Sequence, residues 1–268
     1  MLRKIASKVA QSASFFSKTR TPIPLVLDSF KLKRRPFVAV DRDGVKLRLD
    51  PGRGDSFTFF EILIRRDYLR DGIALGPGDT VVDIGANLGA FSVIAARVVG
   101  PTGRVVAFEP SPDAFERLAE NVALNGLDNV EAVPEAVGGE AGSAQLLVHG
   151  KSAYNSLFDA VDGRSSAHER TVSVTVRTLE QALDARGIGR VDLLKLDCEG
   201  AEYGILGSLP PGLARRIKQV AMETHEIPGH SAGELTDRLR ALGFDVQPTY
   251  PLVAFNREFR PAERATVP

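Results

Sequence analysis

Apolar positions along this chain follow two rhythms, period two and period three to four, and from about residue 71 onward these alternate in blocks. The first clear block is Thr80-Val81-Val82-Asp83-Ile84, a short β-branched run bounded by Pro77-Gly78. It is too short for a helix and predicts a buried parallel strand. Gly85 and Gly89 then turn the chain into a segment over 91–99 in which Phe91, Ile94, Ala95 and Val98 share one helical face. The same exchange recurs: a strand over 103–109, a helix capped by Ser111 with Ala114, Leu118 and Val122 on its stripe, and a strand over 130–133. Further strands are predicted over 191–197 and 219–223, with helices after Thr178, Gly200 and Ser231. Two closing runs, 244–248 and 252–255, read as antiparallel strands.

Upstream the pattern differs. Leu2, Ile5 and Val9 fall at helical spacing with Arg3, Lys4 and Lys8 between them, which predicts a basic amphipathic helix, and Thr21-Pro22-Ile23-Pro24 breaks it. Alternation on either side of Asp43-Gly44 predicts a hairpin, and 57–68 reads as one helix packed on the main domain. Runs over 145–148 and 171–176 suggest an inserted β pair, and the polar stretch between them, with Tyr154-Asn155-Ser156-Leu157, is where substrate selection is expected. The chain therefore divides into a basic N-terminal tail (1–35), a hairpin and helix (36–70), a main α/β domain (71–256) and a polar C-terminal tail (257–268).

Charge sharpens this division. The 268 residues are formally neutral, with 34 basic and 34 acidic side chains. Residues 1–35 hold nine bases against Asp28 alone, so the tail is basic and the body acidic. Neutrality gives no warrant for a nucleic-acid partner, although the tail could touch an anionic membrane surface. The single cysteine, Cys198, excludes an intrachain disulfide. No apolar run is long enough to span a bilayer, and the expected location is cytoplasmic.

The chemistry sits at strand ends. Asp83 precedes the Gly85/Gly89 turn and repels a dinucleotide pyrophosphate, which favours an amine-bearing ligand. Glu109, at the end of the next strand, is placed to accept hydrogen bonds from both ribose hydroxyls of a nucleoside. Asn87 stands where a dinucleotide fingerprint has its second glycine, which argues against a nicotinamide-dependent oxidoreductase, the rival enzyme reading. A non-catalytic cofactor-binding docking module is the other alternative.

The runs VVDIGANLGAFSVIAARVVG, GRVVAFEPSPDAFERLAENVALNG and VDLLKLDCEGAEYGIL, in this order across residues 71–223, resemble the FkbM-type S-adenosylmethionine-dependent methyltransferases. The resemblance implies a Rossmann-like class I methyltransferase fold: a mixed seven-stranded sheet with helices on both faces, S-adenosylmethionine as cofactor and O-methylation of a hydroxyl on a sugar or natural product. It also implies a lid-like role for the segment before the glycine turn and places Ala136 and Val137 against the adenine. Asp83, Gly85, Asn87, Gly89 and Glu109 complete the expected cofactor set. His225, at the fifth strand tip, is the expected general base, with Asp197 and Glu199 orienting the acceptor or replacing it and Glu223 a further alternative. Lys195 is expected to be ion-paired, Glu202 to cap its helix, and no metal is required.

Overall fold

The structure, a computed structural model, describes residues 2–149, 155–157, 161 and 170–259. It begins with two helices, α1 (Leu2–Lys18) and α2 (Pro22–Ser29), then a hairpin of β1 (Phe37–Val40) and β2 (Lys46–Leu49) in antiparallel register around the predicted Asp43-Gly44. The first helix ends at Lys18, ahead of the proline pair, and instead of breaking a helix Pro22 starts the second. At the first helical position its missing N–H costs no intrahelical bond.

The predicted single helix over 57–68 is instead three pieces. A short helix α3 (Asp55–Phe59) passes into a π-wound turn, Phe60–Arg65, and then a 3-10 turn, Asp67–Leu69, with Arg66 left-handed between them at φ 61°. Such irregular winding re-aims side chains that a regular helix would send elsewhere.

From β3 (Thr80–Ile84) the expected alternation holds: α4 (Ala90–Val99), β4 (Arg104–Phe108), α5 (Pro112–Leu124) and β5 (Val130–Val133). The insertion is larger than a β pair. It comprises β6 (Ala136–Gly138), β7 (Gly142–Val148) and β8 (Arg170–Thr178), with β8 antiparallel to β7 and parallel to β6. Then follow α6 (Leu179–Asp184), β9 (Leu193–Leu196), α7 (Glu202–Ser208), α8 (Pro211–Ala214), β10 (Gln219–Met222), α9 (Ala232–Ala241), β11 (Phe244–Gln247) and β12 (Leu252–Asn256). Tyr154 and most of the serine-bearing stretch lie outside the described residues, and the expected C-terminal tail is described only to Phe259.

The main sheet has seven strands in the order β11-β12-β10-β9-β3-β4-β5, parallel except for the antiparallel β11 and β12. This is the expected mixed α/β sheet of the class I methyltransferase fold. Its order reverses between β3 and β9, which opens a crevice beyond their carboxyl ends. One buried cluster fills the face beneath α6, α7 and α9, with Leu183, Leu194, Ile205 and Phe244 at its centre. The other face is covered by α4 together with the N-terminal elements, since Phe15, Leu25, Leu47 and Phe59 share a cluster with Val81, Phe91 and Val93. No helix among the described residues is long and apolar enough to cross a membrane.

A buried ion pair ties the N-terminal elements to the main sheet's helices. Arg117 on α5 reaches Asp55 at 2.7 Å, and both are almost fully buried. Burial raises the Asp55 pKa and Arg117 opposes that rise. Removing one partner leaves the other charged and desolvated. Asp55→Ala is therefore expected to lower the free energy of unfolding by about 3–5 kcal/mol, read from urea denaturation. A loss within that of ordinary surface substitutions would show that the pair does not hold α3 in place.

Candidate functional site

The crevice holds a cavity of about 550 Å³ that runs from the glycine turn to the tips of β9 and β10. Its geometry starts at the turn. Gly85 has φ 75°, and a Cβ there would lie 1.8 Å from the Asp197 carbonyl oxygen, so only glycine lets these two strand ends approach so closely. Gly89 is needed for a different reason: its Cβ would meet Leu118 at 2.6 Å, and it lets α4 pack on α5 without itself lining the cavity.

Glu109 lies at the cavity wall and is buried. Its carboxylate accepts from the backbone N–H of Asn87 at 2.7 Å and of Ser111 at 2.9 Å, one bond per oxygen. Each oxygen keeps a second lone pair for an incoming donor. Burial raises its pKa to about 7, against the two backbone bonds and Lys195, which lower it. Ala136 and Val137 line the same end. This set fits a nucleoside: a glycine-cleared floor, a carboxylate with lone pairs to spare, and an apolar wall.

Asp83 departs from the expectation. It is fully buried, off the cavity wall, and its oxygens face Lys195 at 3.0 Å and Ser92 at 2.5 Å. Asp83 and Lys195 are register partners on adjacent parallel strands, which is why they meet. The aspartate is thus neutralised by a protein cation and does not itself meet a ligand amine. Lys195 donates to the Gly85 carbonyl at 2.7 Å, lies 3.6 Å from Asp197, and sits 5.3 Å from the Tyr68 ring centroid. Burial would discharge it, but Asp83 and Asp197 hold its pKa above the ordinary value.

The other end of the cavity is polar. Asp197, Glu199, Glu223 and His225 converge there, together with Glu61, Tyr68 and Tyr250. His225 is buried; its Nδ1 contacts Glu202 at 3.0 Å, and its Nε2 faces Glu199 at 3.7 Å and Asp197 at 3.8 Å. Burial alone would discharge the ring. The hydrogen bond and charge of Glu202, then Glu199 and Asp197, outweigh that and raise its pKa to about 10. His225 therefore carries its proton at neutral pH and does not suit the expected role of neutral base. Glu202 stands in the first turn of its helix but does not cap it: its carboxylate accepts from the Cys198 and Gly200 N–H groups of the preceding turn, and also holds this imidazole.

The Tyr68 hydroxyl bonds Asp197 Oδ2 at 2.9 Å and Glu223 Oε2 at 3.2 Å, and Tyr250 bonds Glu223 Oε1. Burial, with Asp197 next, raises the Glu223 pKa, and burial, with Glu223 and Asp67 next, raises that of Glu61 to about 7. Asp197, Glu223 and His225 each offer one ligand atom, all within 4.8 Å of one another, so these three could hold a divalent cation. Tyr250 is not singled out in the sequence, where Glu61 reads as a helix-surface acid and Tyr68 as a half-buried tyrosine, with contact to cofactor or substrate the alternative for both. The only signal for them was their place before the glycine turn and beside the last strand.

A family model described as the methyltransferase FkbM domain matches residues 83–246. The 31-O-demethyl-FK506 methyltransferase FkbM of Streptomyces tacrolimicus is 32% identical over 216 residues, covering 71% of this chain and 82% of that protein. The AMB antimetabolite synthetase AmbE of Pseudomonas aeruginosa is 31% identical over 234 residues, 71% of this chain, yet this chain spans only 10% of its length. Among solved structures, a methyltransferase FkbM from Methylobacillus flagellatus KT is 15% identical, with 70% of this chain and 46% of that chain covered and a TM-score of 0.48. With most of its main domain inside the matched region, the chain belongs to the FkbM family of methyltransferases, and its cofactor is S-adenosylmethionine.

Proposed function

We propose that this methyltransferase acts on oxygen, methylating a hydroxyl of a small-molecule acceptor such as a sugar or a natural product. The observation that carries this reading is a single cavity joining the Glu109 end to a cluster of carboxylates around a buried histidine. A hydroxyl acceptor must be oriented and must lose a proton, and the cluster offers acceptors for both tasks. The relative from Streptomyces tacrolimicus is named for an O-methylation, which supports the same chemistry here. The family match leaves the nicotinamide-dependent reading without support.

In this reading Glu109 holds the ribose, Ala136 and Val137 lie against the adenine, and Gly85 and Asn87 bring backbone to the rest of the cofactor. Asp83 acts through Lys195, which fixes the turn. When bound, S-adenosylmethionine supplies an electrophilic methyl group with a neutral thioether as leaving group. The chain mainly has to align acceptor and donor.

Asp197 takes the proton. Asp197 lines the cavity; its Oδ2 is held by Tyr68 and lies near Lys195, while Oδ1 makes no hydrogen bond among the described residues and lies 3.8 Å from His225 Nε2. The acceptor hydroxyl becomes strongly acidic only as its oxygen bonds to the methyl carbon, so a carboxylate is a sufficient base. His225, as an imidazolium held by Glu202, orients Asp197 and Glu199 and limits their mutual repulsion.

Two outcomes test these roles. Ribose hydroxyls donate to an ionised carboxylate, so affinity for S-adenosylhomocysteine should rise as pH increases through about 7, the value to which burial raises Glu109, and level off above it. Glu109→Gln should flatten that rise and weaken binding roughly tenfold or more, since charge-assisted hydrogen bonds contribute about 1.5–3 kcal/mol each. Calorimetry on both forms decides; an unchanged rise in the variant removes Glu109 from the ribose.

The second outcome concerns the base. At saturating cofactor, Asp197→Asn should lower turnover on an accepted hydroxyl substrate by about 10²–10⁴ with cofactor affinity retained. Because His225 is protonated up to about pH 10, the rate should show no histidine-type rise between about pH 6 and 8 and should fall as pH passes 10. A rise in that lower window that disappears in His225→Gln would return the base role to the histidine.

A further inference from the structure

Six of the ten large apolar side chains left exposed among the described residues lie between Val9 and Leu32. Val9 and Phe16, seven apart, share a face of α1. Ile23, Leu27 and Phe30 fall at the i, i+4, i+7 spacing along α2 and its C-terminal cap, and Leu32 follows. The two helices are pinned together where Lys8 Nζ donates to the Ser29 carbonyl at 2.5 Å and lies 5.4 Å from the centroid of the Phe30 ring. Their inward residues, Phe15 and Leu25, are fully buried against the main domain. The outward apolar positions have no covering element among the described residues.

The exposed charge within this stretch is of one sign. Residues 1–35 contain nine bases and one acid. That acid, Asp28, is buried and committed to the Ser56 hydroxyl at 2.6 Å and the Gly52 N–H at 3.0 Å. Lys18, Arg20, Lys31, Arg34 and Arg35 are exposed, so the surface offers cations and apolar groups with no exposed carboxylate among them.

These features together select an occupant. A second copy of this chain would bring two basic faces into contact across a two-fold axis, where like charges repel. A nucleic acid would answer the charge but leave the isoleucine, leucine and phenylalanine side chains against polar phosphate. An anionic lipid surface answers both, accepting apolar side chains at the headgroup boundary while its phosphates pair with lysine and arginine.

We propose that the α1–α2 hairpin is a docking platform for an anionic bilayer surface, on which the protein lies without crossing it. The platform adjoins the cavity wall, because Phe15 packs edge-on against Phe59 and Phe60, in the segment that presents Phe57, Glu61 and Ile62 to the cavity. A docked molecule would hold that wall close to the interface.

The test is sedimentation of the full chain with vesicles of phosphatidylglycerol in phosphatidylcholine, against phosphatidylcholine alone, at low and high salt. Sedimentation is expected on the anionic vesicles at low salt, with much less on the neutral ones and at high salt. Arg34→Ala/Arg35→Ala should bind on the order of 30-fold more weakly, the factor that two surface cations carry at an anionic leaflet. Phe16→Ser/Ile23→Ser should lose binding that salt alone does not remove. Unchanged S-adenosylhomocysteine affinity in both variants shows that the fold is intact, and neither readout depends on which acceptor is methylated. Sedimentation that ignores lipid charge, failure to bind either vesicle, variants that bind like wild type, or concentration-dependent self-association lost in Phe16→Ser/Ile23→Ser would each overturn the proposal.

Discussion

The ion pair between Asp83 and Lys195 is the constraint on which the crevice depends. Two opposite charges, register partners on the central strands, lie where almost no water reaches them. Neither could remain ionised there alone. Paired, they leave Lys195 with donors to spare. One goes to the Gly85 carbonyl and fixes the turn that must pass within touching distance of Asp197. Its remaining field reaches Asp197, so a charge placed in the sheet core sets both the shape of the glycine turn and the electrostatics of the carboxylate end of the cavity.

Much of the main domain is legible in the sequence because its signals are local. The Val81-Val82 run and the glycines after it depend on neighbours a few residues away, and strand alternation correctly placed Lys195 in need of a partner; the stripe expected on α4 is buried at Phe91, Ile94 and Ala95, while Val98 is exposed. The partner itself was harder to identify. Asp83 looked like a ligand residue because its strand pairing with Lys195, 112 positions further on, is a matter of sheet order. The segment over 57–68 misled for another reason: its apolar spacing is helical, and the π-wound turn that aims Glu61 and Tyr68 inward has no period of its own. Tyr250 belongs to the same class, a residue made relevant only by the return of the last strand beside β10.

At the carboxylate end of the cavity the balance of charge matters more than any single residue. Carboxylates from Asp197, Glu199, Glu202 and Glu223 surround one imidazole, and Glu61 stands close enough to feel them. Burial and neighbouring carboxylates push Glu61 and Glu223 toward neutrality, while the histidine retains its proton. Sequence order could place His225 at a strand tip but could not decide between burial, which lowers its pKa, and carboxylates, which raise it. The deciding group is Glu202, whose place in the first turn of α7 was apparent from the sequence but whose contact with His225 joins that turn to the loop after β10.

The N-terminal elements carry this logic outward. They are not an appendage, because Phe15 and Leu25 complete the core on one face of the sheet and Arg117 anchors α3 through Asp55. Yet the same two helices turn apolar and cationic side chains to the outside, a pattern that core packing does not require. Among the described residues nothing covers the exposed isoleucine and phenylalanine, so they add no stability to the fold there and are left to a surface beyond these elements. The one acid in this stretch is spent internally on Gly52 and Ser56. What remains outside is a face whose charge and hydrophobicity both favour an anionic interface and whose inner side packs on the segment that walls the cavity.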